Sequence, residues 1–481
     1  MAILKIGNTE IKTKKITELD AGTPSTNSFG VFSDSNGNAY QFELGDLKDV
    51  LGIKKNPLDF SSKDKAIIAR PTQVNAEVSI DGDFTGIGQD QPIKAVLTYK
   101  DENGVTFKKD VFVEWQGNTS LVYPKKNYSI DLYNDPDGDD EFKVKFGDWT
   151  PLESYHLKAN YTDPLAVRDV LCARLLRKCW LTRSYMSAFP WSKPYDYNAA
   201  VDDIRPSGAL AVTDGFPIEL KINDENQGLY TWQLPRKRQN YNMVKDNNLQ
   251  ILATADETIP YSFPTSAPYF RPQYWDLKNP KYDTLPTETS AAMERMLAFM
   301  LSSTQQEFND HAHEYFNVDL CIDYHIQIIL TLATDNRLKN LTLATYDGLI
   351  WSPVLWDSDR TLGARHVAPT YDLLVDGSIF TDIYDPLVWS QSPLFVKLIT
   401  GFKSQFDARY KELREKVFNL DVIQTEAMKI VNQVPFKLYE KDFELWGGNA
   451  QHRVFSSSIG QISDYMLDRF TYIDPQFNYT P

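Results

Sequence analysis

The chain has 481 residues, of which 42% are apolar and 13% aromatic, and a net charge of −15. That composition supports a large core and excludes global disorder, and the length points to two or three domains. The acidic balance argues against a protein that grips nucleic acid through its phosphates.

Three cysteines make no disulfide framework. Cys172 and Cys179 fall on one expected helix, roughly 10 Å apart along its axis and beyond disulfide reach. With Cys321 they read as reduced core residues. No charged and then apolar leader opens the chain, so no signal peptide is expected. No apolar run approaches the length of a membrane span.

Residues 1–57 read as a small β-rich module. Phe29–Phe32 and Ala39–Phe42 flank the turn-rich stretch Ser33–Asn38, a hairpin signature. So short a module leans on a partner or on copies of itself. Residues 58–70 are polar and read as a linker. Alternating apolar stretches then predict strands of an antiparallel sheet at Gln73–Ile80, Ile93–Tyr99, Thr106–Trp115 and Asn127–Tyr133. The acidic run Asn134–Glu141 lacks the spacing of a calcium loop and reads as solvated. Between two strands lie Trp115-Gln-Gly-Asn-Thr-Ser120 and Tyr123-Pro-Lys-Lys-Asn-Tyr128. A glycine and small polar residues, Asn118 among them, ahead of Lys125 and Lys126 can cover and pair phosphates, although this is no Walker loop.

Asp163 and Pro164 suit the cap and first position of a helix whose apolar face is Val167, Val170, Leu171 and Leu175. Phe216–Ile222 and Gly228–Leu234 predict a hairpin turned by Asn223–Gln227. A basic cluster, Arg236 to Arg238, follows it. Residues 255–285 carry seven aromatics and read as a long packed loop. From Thr287 the pattern turns helical: Thr289–Leu301, Val318–Leu332 capped by Asn317, Pro393–Phe402, Gln405–Phe418, Val422–Gln433 and Phe455–Phe470. His311, His313 and His325 lack convincing zinc spacing.

The most informative stretch is 334–363. Asp335 precedes Asn340 by five positions; two apolar runs separated by Asp347-Gly348 follow, then Asp357 and Asp359. Asp-Gly between apolar runs predicts a type I′ hairpin. The hairpin brings four oxygen-bearing side chains to one end of the ribbon. A catalytic aspartate, an asparagine five residues on and a later aspartate are the layout of a phosphoryl-transfer site using Mg²⁺. The all-round apolar helix at 318–332 is a rigid support for Asp335.

The ordered phrases Trp115–Leu132, Tyr155–Leu171, Gly228–Trp232, Tyr315–Ile326, Thr334–Asn340 and Trp356–Gly363 resemble the CotH kinase family of spore-coat-protein-H-like atypical kinases. The resemblance implies an α+β, bilobal, protein-kinase-like fold. The β-rich lobe would be 71–240 and the helical lobe 241–481. It also implies ATP and Mg²⁺ as cofactors. Asp335 would be the catalytic carboxylate, Asn340 and Asp357 metal ligands, and Asp359 their assistant. Lys126 is the first choice to pair phosphate, with Lys125 and Lys158 as rivals. Asn118 would lie over the phosphates, and Arg168 would contact phosphate or the strand lobe. The sequence departs from the kinase pattern in three places. Ala333-Thr334 precedes Asp335, Asp357-Ser358-Asp359 replaces Asp-Phe-Gly, and no helix glutamate is placed to pair with the lysine. Residues 1–57 resemble N-terminal segments of bacteriophage tail and fibre proteins. That implies a virion component made in the host cytoplasm. Its partners would be other virion proteins, further copies of itself and a host-envelope polymer. The alternative is an active protein kinase.

Overall fold

The computed structural model describes residues 76–147, 149–184, 208–245, 247–333, 335–367, 392–447 and 458–481, together with short strands before and between them. The chain divides into two compact units, residues 1–63 and 64–481. In the first, β1 (Ala2–Ile6), β2 (Thr9–Lys15), β3 (Phe29–Ser33) and β4 (Ala39–Glu43) form one sheet in the order β1-β2-β4-β3. The hairpin expected around Ser33–Asn38 is present as β3 paired with β4.

The second unit opens with β5 (Ala66–Ile68), which lies within the stretch read as linker. It pairs in parallel with β10 (Val144–Phe146). The expected antiparallel sheet is a closed barrel. It consists of β6 (Glu77–Gly82), β7 (Ile93–Lys100), β8 (Thr106–Gln116), β9 (Asn127–Tyr133), β11 (Ser154–Lys158), β12 (Gly215–Ile222) and β13 (Glu225–Gln233). The strand order is β11-β13-β12-β6-β7-β8-β9, and β9 pairs with β11 to close it. Every pairing is antiparallel except β12 with β6. Closure removes the sheet edges that would otherwise remain unpaired. Period-two patterning sets which face is buried. On β9, Tyr128, Ile130 and Leu132 point inward, while Asn127, Ser129 and Asp131 point out. Phe146 fills the interior, its ring 4.9 to 6.0 Å from those of Phe216, Trp232, Tyr99, Tyr155 and Trp149.

Helix α1 (Arg168–Leu181) starts later than expected. Its N-cap is Val167 and not Asp163, whose carboxylate instead holds the entry by accepting the N–H groups of Val167 and Arg168 at 2.9 and 2.8 Å. The segment between Asp163 and Arg168 forms a turn with Ala166 at positive φ. Cys172, Cys179 and Cys321 are buried thiols.

A second sheet runs β15-β14-β16-β17, all antiparallel, from β14 (Ile251–Ala255), β15 (Trp275–Asn279), β16 (Thr342–Thr345) and β17 (Trp351–Val354). The aromatic stretch 255–285 is not all loop, since it contains β15; within it Phe263, Phe270 and Trp275 are buried and Tyr261 and Tyr282 exposed. The helices are α2 (Thr287–Ser302), α3 (Gln305–His311), α4 (Val318–Thr331), α5 (Pro393–Gly401), α6 (Lys403–Lys416), α7 (Leu420–Val431), α8 (Phe436–Trp446) and α9 (Ile459–Ile473). The sequence pattern missed α3 and α8. Almost every residue of α4 is buried, and Asn317 caps it through Leu320 N–H. Among the described residues no helix is long and apolar enough to cross a membrane.

Candidate functional site

The β16–β17 hairpin delivers the acidic residues, though not through the expected turn. Asp347 is not at positive φ; Gly348 is, at 72°. Thr345 pairs with Trp351, so five residues form the loop. The Asp347 carboxylate holds that loop by accepting the N–H groups of Leu349 and Ile350 at 2.8 and 2.9 Å. This is an Asx-type turn, in which a side-chain oxygen replaces the backbone acceptor. At the far end the hairpin brings Asn340 to Asp357. Asn336 Nδ2 donates to the Trp356 carbonyl at 2.5 Å, and Asn340 Nδ2 to Asp357 Oδ2 at 3.4 Å. Leu332 takes a left-handed conformation at the end of α4 and swings the chain out towards Asp335.

Asp357 is the meeting point. Its Oδ1 lies 3.5 Å from Lys158 Nζ at the end of β11. Asp357 and Asn340 both sit at positive φ, a conformation that Asn and Asp tolerate better than most residues. Asp359 accepts from the Thr162 hydroxyl at 3.4 Å. Burial, and then the Asp357 carboxylate beside it, push the Asp359 acid up to about 7. Burial opposes the Lys158 ammonium, but Asp357, Asp169 and Asp359 outweigh it and raise its pKa.

Asp169, which sequence reasoning missed, completes the set from the first turn of α1. One of its oxygens accepts the Ser358 N–H at 2.8 Å, and the other accepts from Gln233 Nε2 at 2.5 Å. It therefore clamps the backbone between Asp357 and Asp359. Burial is the largest influence on its carboxyl and raises the pKa. The available signal was an acid in the first turn of the helix after the Lys158 strand, a place where attention to glutamate alone overlooked an aspartate.

The other expected site residues have partners of their own. The Asp335 carboxylate is 49% exposed, and its cationic neighbour is Arg360 at 3.9 Å. Lys126 Nζ donates to the Leu121 carbonyl at 2.5 Å and lies over the Trp115 ring. Lys125 is buried against the Asp442 carboxylate at 2.7 Å, with the Ala159 and Leu229 carbonyls as further acceptors. Asn118 is exposed where a short 3₁₀ turn, Thr119–Val122, begins. Arg168 is fully buried and faces no cleft. It pairs with Asp163 and donates to the Thr361 carbonyl and to Gln461. In the basic cluster, Arg236 pairs with Asp276 at 3.1 Å and stacks over Trp356, next to Asp357.

Two carboxylates and an amide are groups whose oxygens a hard divalent cation takes, although Asn340 meets Asp357 through its amide nitrogen, and Asp169 adds negative charge behind them. Among the described residues no three His, Cys, Asp or Glu side chains converge as a metal cluster of their own. Solvent or ligand would have to complete the coordination. Polar atoms without partners also gather here. His156 Nδ1, Gln233 Oε1 and Ser358 Oγ are buried and unpaired. His156 pairs directly across from Gln233, putting their side chains on one face of the barrel wall. The cleft beside them, lined by Lys125, Lys158, Thr162, Asp169 and Asp359, holds only about 30 Å³. That is room for one water.

The chain matches no curated protein at a significant level. Residues 113–473 match the family described as CotH kinase protein, a span running from the barrel through Lys158, Asp169 and Asp357 to the last long helix. This chain belongs to the CotH kinase family.

Proposed function

We propose that the 64–481 unit is an ATP- and Mg²⁺-dependent phosphotransferase acting on a protein hydroxyl. The observation that carries the reading is the contact set of Asp357, which meets the strand lysine Lys158 and the loop amide Asn340 at once. The chain order supports it too. A strand lysine, a helix carboxylate, a loop aspartate with an asparagine five residues on, a hairpin and a second aspartate follow one another as in protein kinases. Their order favours the bilobal kinase-like architecture, with the barrel as the nucleotide-side lobe.

In this reading Asn340 and Asp357 hold the metal, with Asp359 beside them. The cation, when bound, neutralises charge on the phosphoryl oxygens. Lys158 pairs a phosphate oxygen, in preference to Lys126 and Lys125, whose ammonium groups are committed to other acceptors. Asp169 fixes the Asp357–Asp359 backbone through Ser358. Asp335, half exposed where a substrate can approach, accepts the proton of the attacking hydroxyl. Catalysis of this kind is positioning plus electrostatic stabilisation. The separate sheet of residues 1–63 supports an attachment module, and we extend the reading to a virion component anchored through it.

The test is a thermal shift with Mg²⁺·ATP, followed by radiolabel transfer to a generic protein acceptor. Ligand binding raises the melting temperature by mass action. Wild type should shift, while Lys158→Met and Asp357→Ala should not. Asp335→Ala should keep the shift and lose at least about 100-fold in transfer. Equal behaviour of wild type and Asp357→Ala ends the proposal.

A further inference from the structure

The cleft beside Lys158, Asp169 and Asp359 is small, about 30 Å³, and the segment that lines it is contacted by a helix far along the chain. The segment over it runs from Gly117 to Lys126. It is stitched internally by Asn127 Nδ2 to Ser120 Oγ at 3.2 Å and by Lys126 to the Leu121 carbonyl. Its end is then gripped from α8 at two points. Lys125 carries three N–H donors, and three oxygens take them: the Ala159 and Leu229 carbonyls and Asp442 Oδ1. The lysine and aspartate are both buried. Trp446, at the end of the same helix, packs on the cluster of Tyr123, Tyr161 and Ala364. Tyr123 belongs to the covering segment and stacks on Tyr161 with ring centroids 5.1 Å apart.

Helix α8 is itself fastened to the barrel and to the entry of α1. Trp446 Nε1 donates to the Gln227 carbonyl at 2.9 Å, and the Tyr439 hydroxyl to the Leu165 carbonyl at 3.1 Å. Asp442 also accepts Leu229 N–H at 3.0 Å. It reaches that position because residue 228 is glycine, at φ 86°; a Cβ there would collide with the Asp442 carboxylate. The sequence therefore leaves a slot in β13 for this one side chain.

We propose that α8 is a latch: the Asp442–Lys125 ion pair and the packing of Trp446 on the Tyr123, Tyr161 and Ala364 cluster hold the 117–126 segment over the cleft and restrict nucleotide entry. The proposal rests on the nucleotide reading above. It makes the closed cleft a resting state that α8 controls. Only the open fraction of molecules binds, so the apparent Kd is the intrinsic one divided by that fraction. Releasing the latch should tighten binding, whereas loss of a purely structural contact should weaken it.

The experiment uses the full chain with Asp442→Asn and, separately, Trp446→Ala. Two readouts are taken: amide hydrogen exchange of residues 117–127 without nucleotide, and the Kd for Mg²⁺·ATP. The expected result is exchange at least about 10-fold faster in that segment, with the rest of the barrel unchanged, and a Kd lowered about 5-fold or more. Unchanged exchange in both folded variants overturns the latch. Faster exchange with an unchanged or higher Kd overturns its control of entry. If wild type and both variants bind no nucleotide, the control of entry is overturned together with the phosphotransferase reading, while exchange still decides whether α8 holds the segment.

Discussion

Asp169 shows how much one buried carboxylate can organise. It sits between a strand lysine, a strand glutamine and the backbone of Ser358, and it holds the loop that carries the two acidic site residues. Two histidines, His325 buried and His156 half-buried, make a different prediction at this scale. Burial, the largest cause, lowers the pKa of both His156 and His325 well below 6.5. The Lys158 and Lys278 charges add to this at His156, and Arg337 adds to it at His325. The unfolded chain then binds protons that the folded chain does not, so stability rises with pH in this range. The contribution is in place above pH 6.5 and is lost as pH falls below it. The urea midpoint should therefore drop between pH 7 and pH 5. His325→Leu should flatten the drop because it removes the titrating imidazole, and the surroundings suit an apolar side chain, with Phe395 stacked on the ring and Phe406 edge-on to it. A pH profile identical in wild type and variant would contradict this account. Little of this was legible in the sequence. Asp335, Asn340 and Asp357 could be singled out because their spacing is local. Asp169 and Lys158 join them only through the packing of α1 and β11.

At the scale of elements, the hairpins divide the credit. The type I′ turn expected at Asp347-Gly348 occurs instead at Asn223-Asp224, where φ is 49° and 65°. Asn223 adds a second role there. Its side chain exchanges two hydrogen bonds of 2.9 Å with the backbone of Gly82, fastening the turn to β6 at the parallel seam of the barrel. Asn223→Ala loses both bonds and places alanine at positive φ. The expected cost is on the order of 1–3 kcal/mol, read from chemical denaturation. Asp224→Gly should be neutral or stabilising, since glycine suits that position. A larger loss from Asp224→Gly than from Asn223→Ala would contradict this assignment of the turn. The barrel strands other than β11, the β16–β17 hairpin and most helix spans followed from periodicity, whereas β5, β10, β11, β14 and β15 did not. Helix α8 did not, because its outward positions include Phe436, Phe443 and Leu445, which blur the amphipathic pattern.

At the scale of the molecule, β5 belongs to the larger unit although the sequence reads it as linker. A fragment of residues 64–481 should keep the melting temperature and ligand response of that unit. One beginning at residue 71 loses the β5–β10 pairing and should melt lower. Equal melting of the two fragments would show that β5 adds nothing. The buried Arg168 is a tie of the same reach, joining the start of α1 to Thr361 and to α9. Composition and periodicity by themselves determined an acidic, two-part chain with a β-rich beginning, a helical end and an acidic hairpin between its helices. Those properties depend on residue type and near neighbours, which a linear pattern records. The tertiary structure alone decided that the sheet closes into a barrel, that Lys158 and not Lys126 meets Asp357, and that Asp442 crosses 317 positions to hold Lys125. These are choices among several chemically equivalent partners, and only the path of the chain through space separates a lysine that reaches an aspartate from one that cannot.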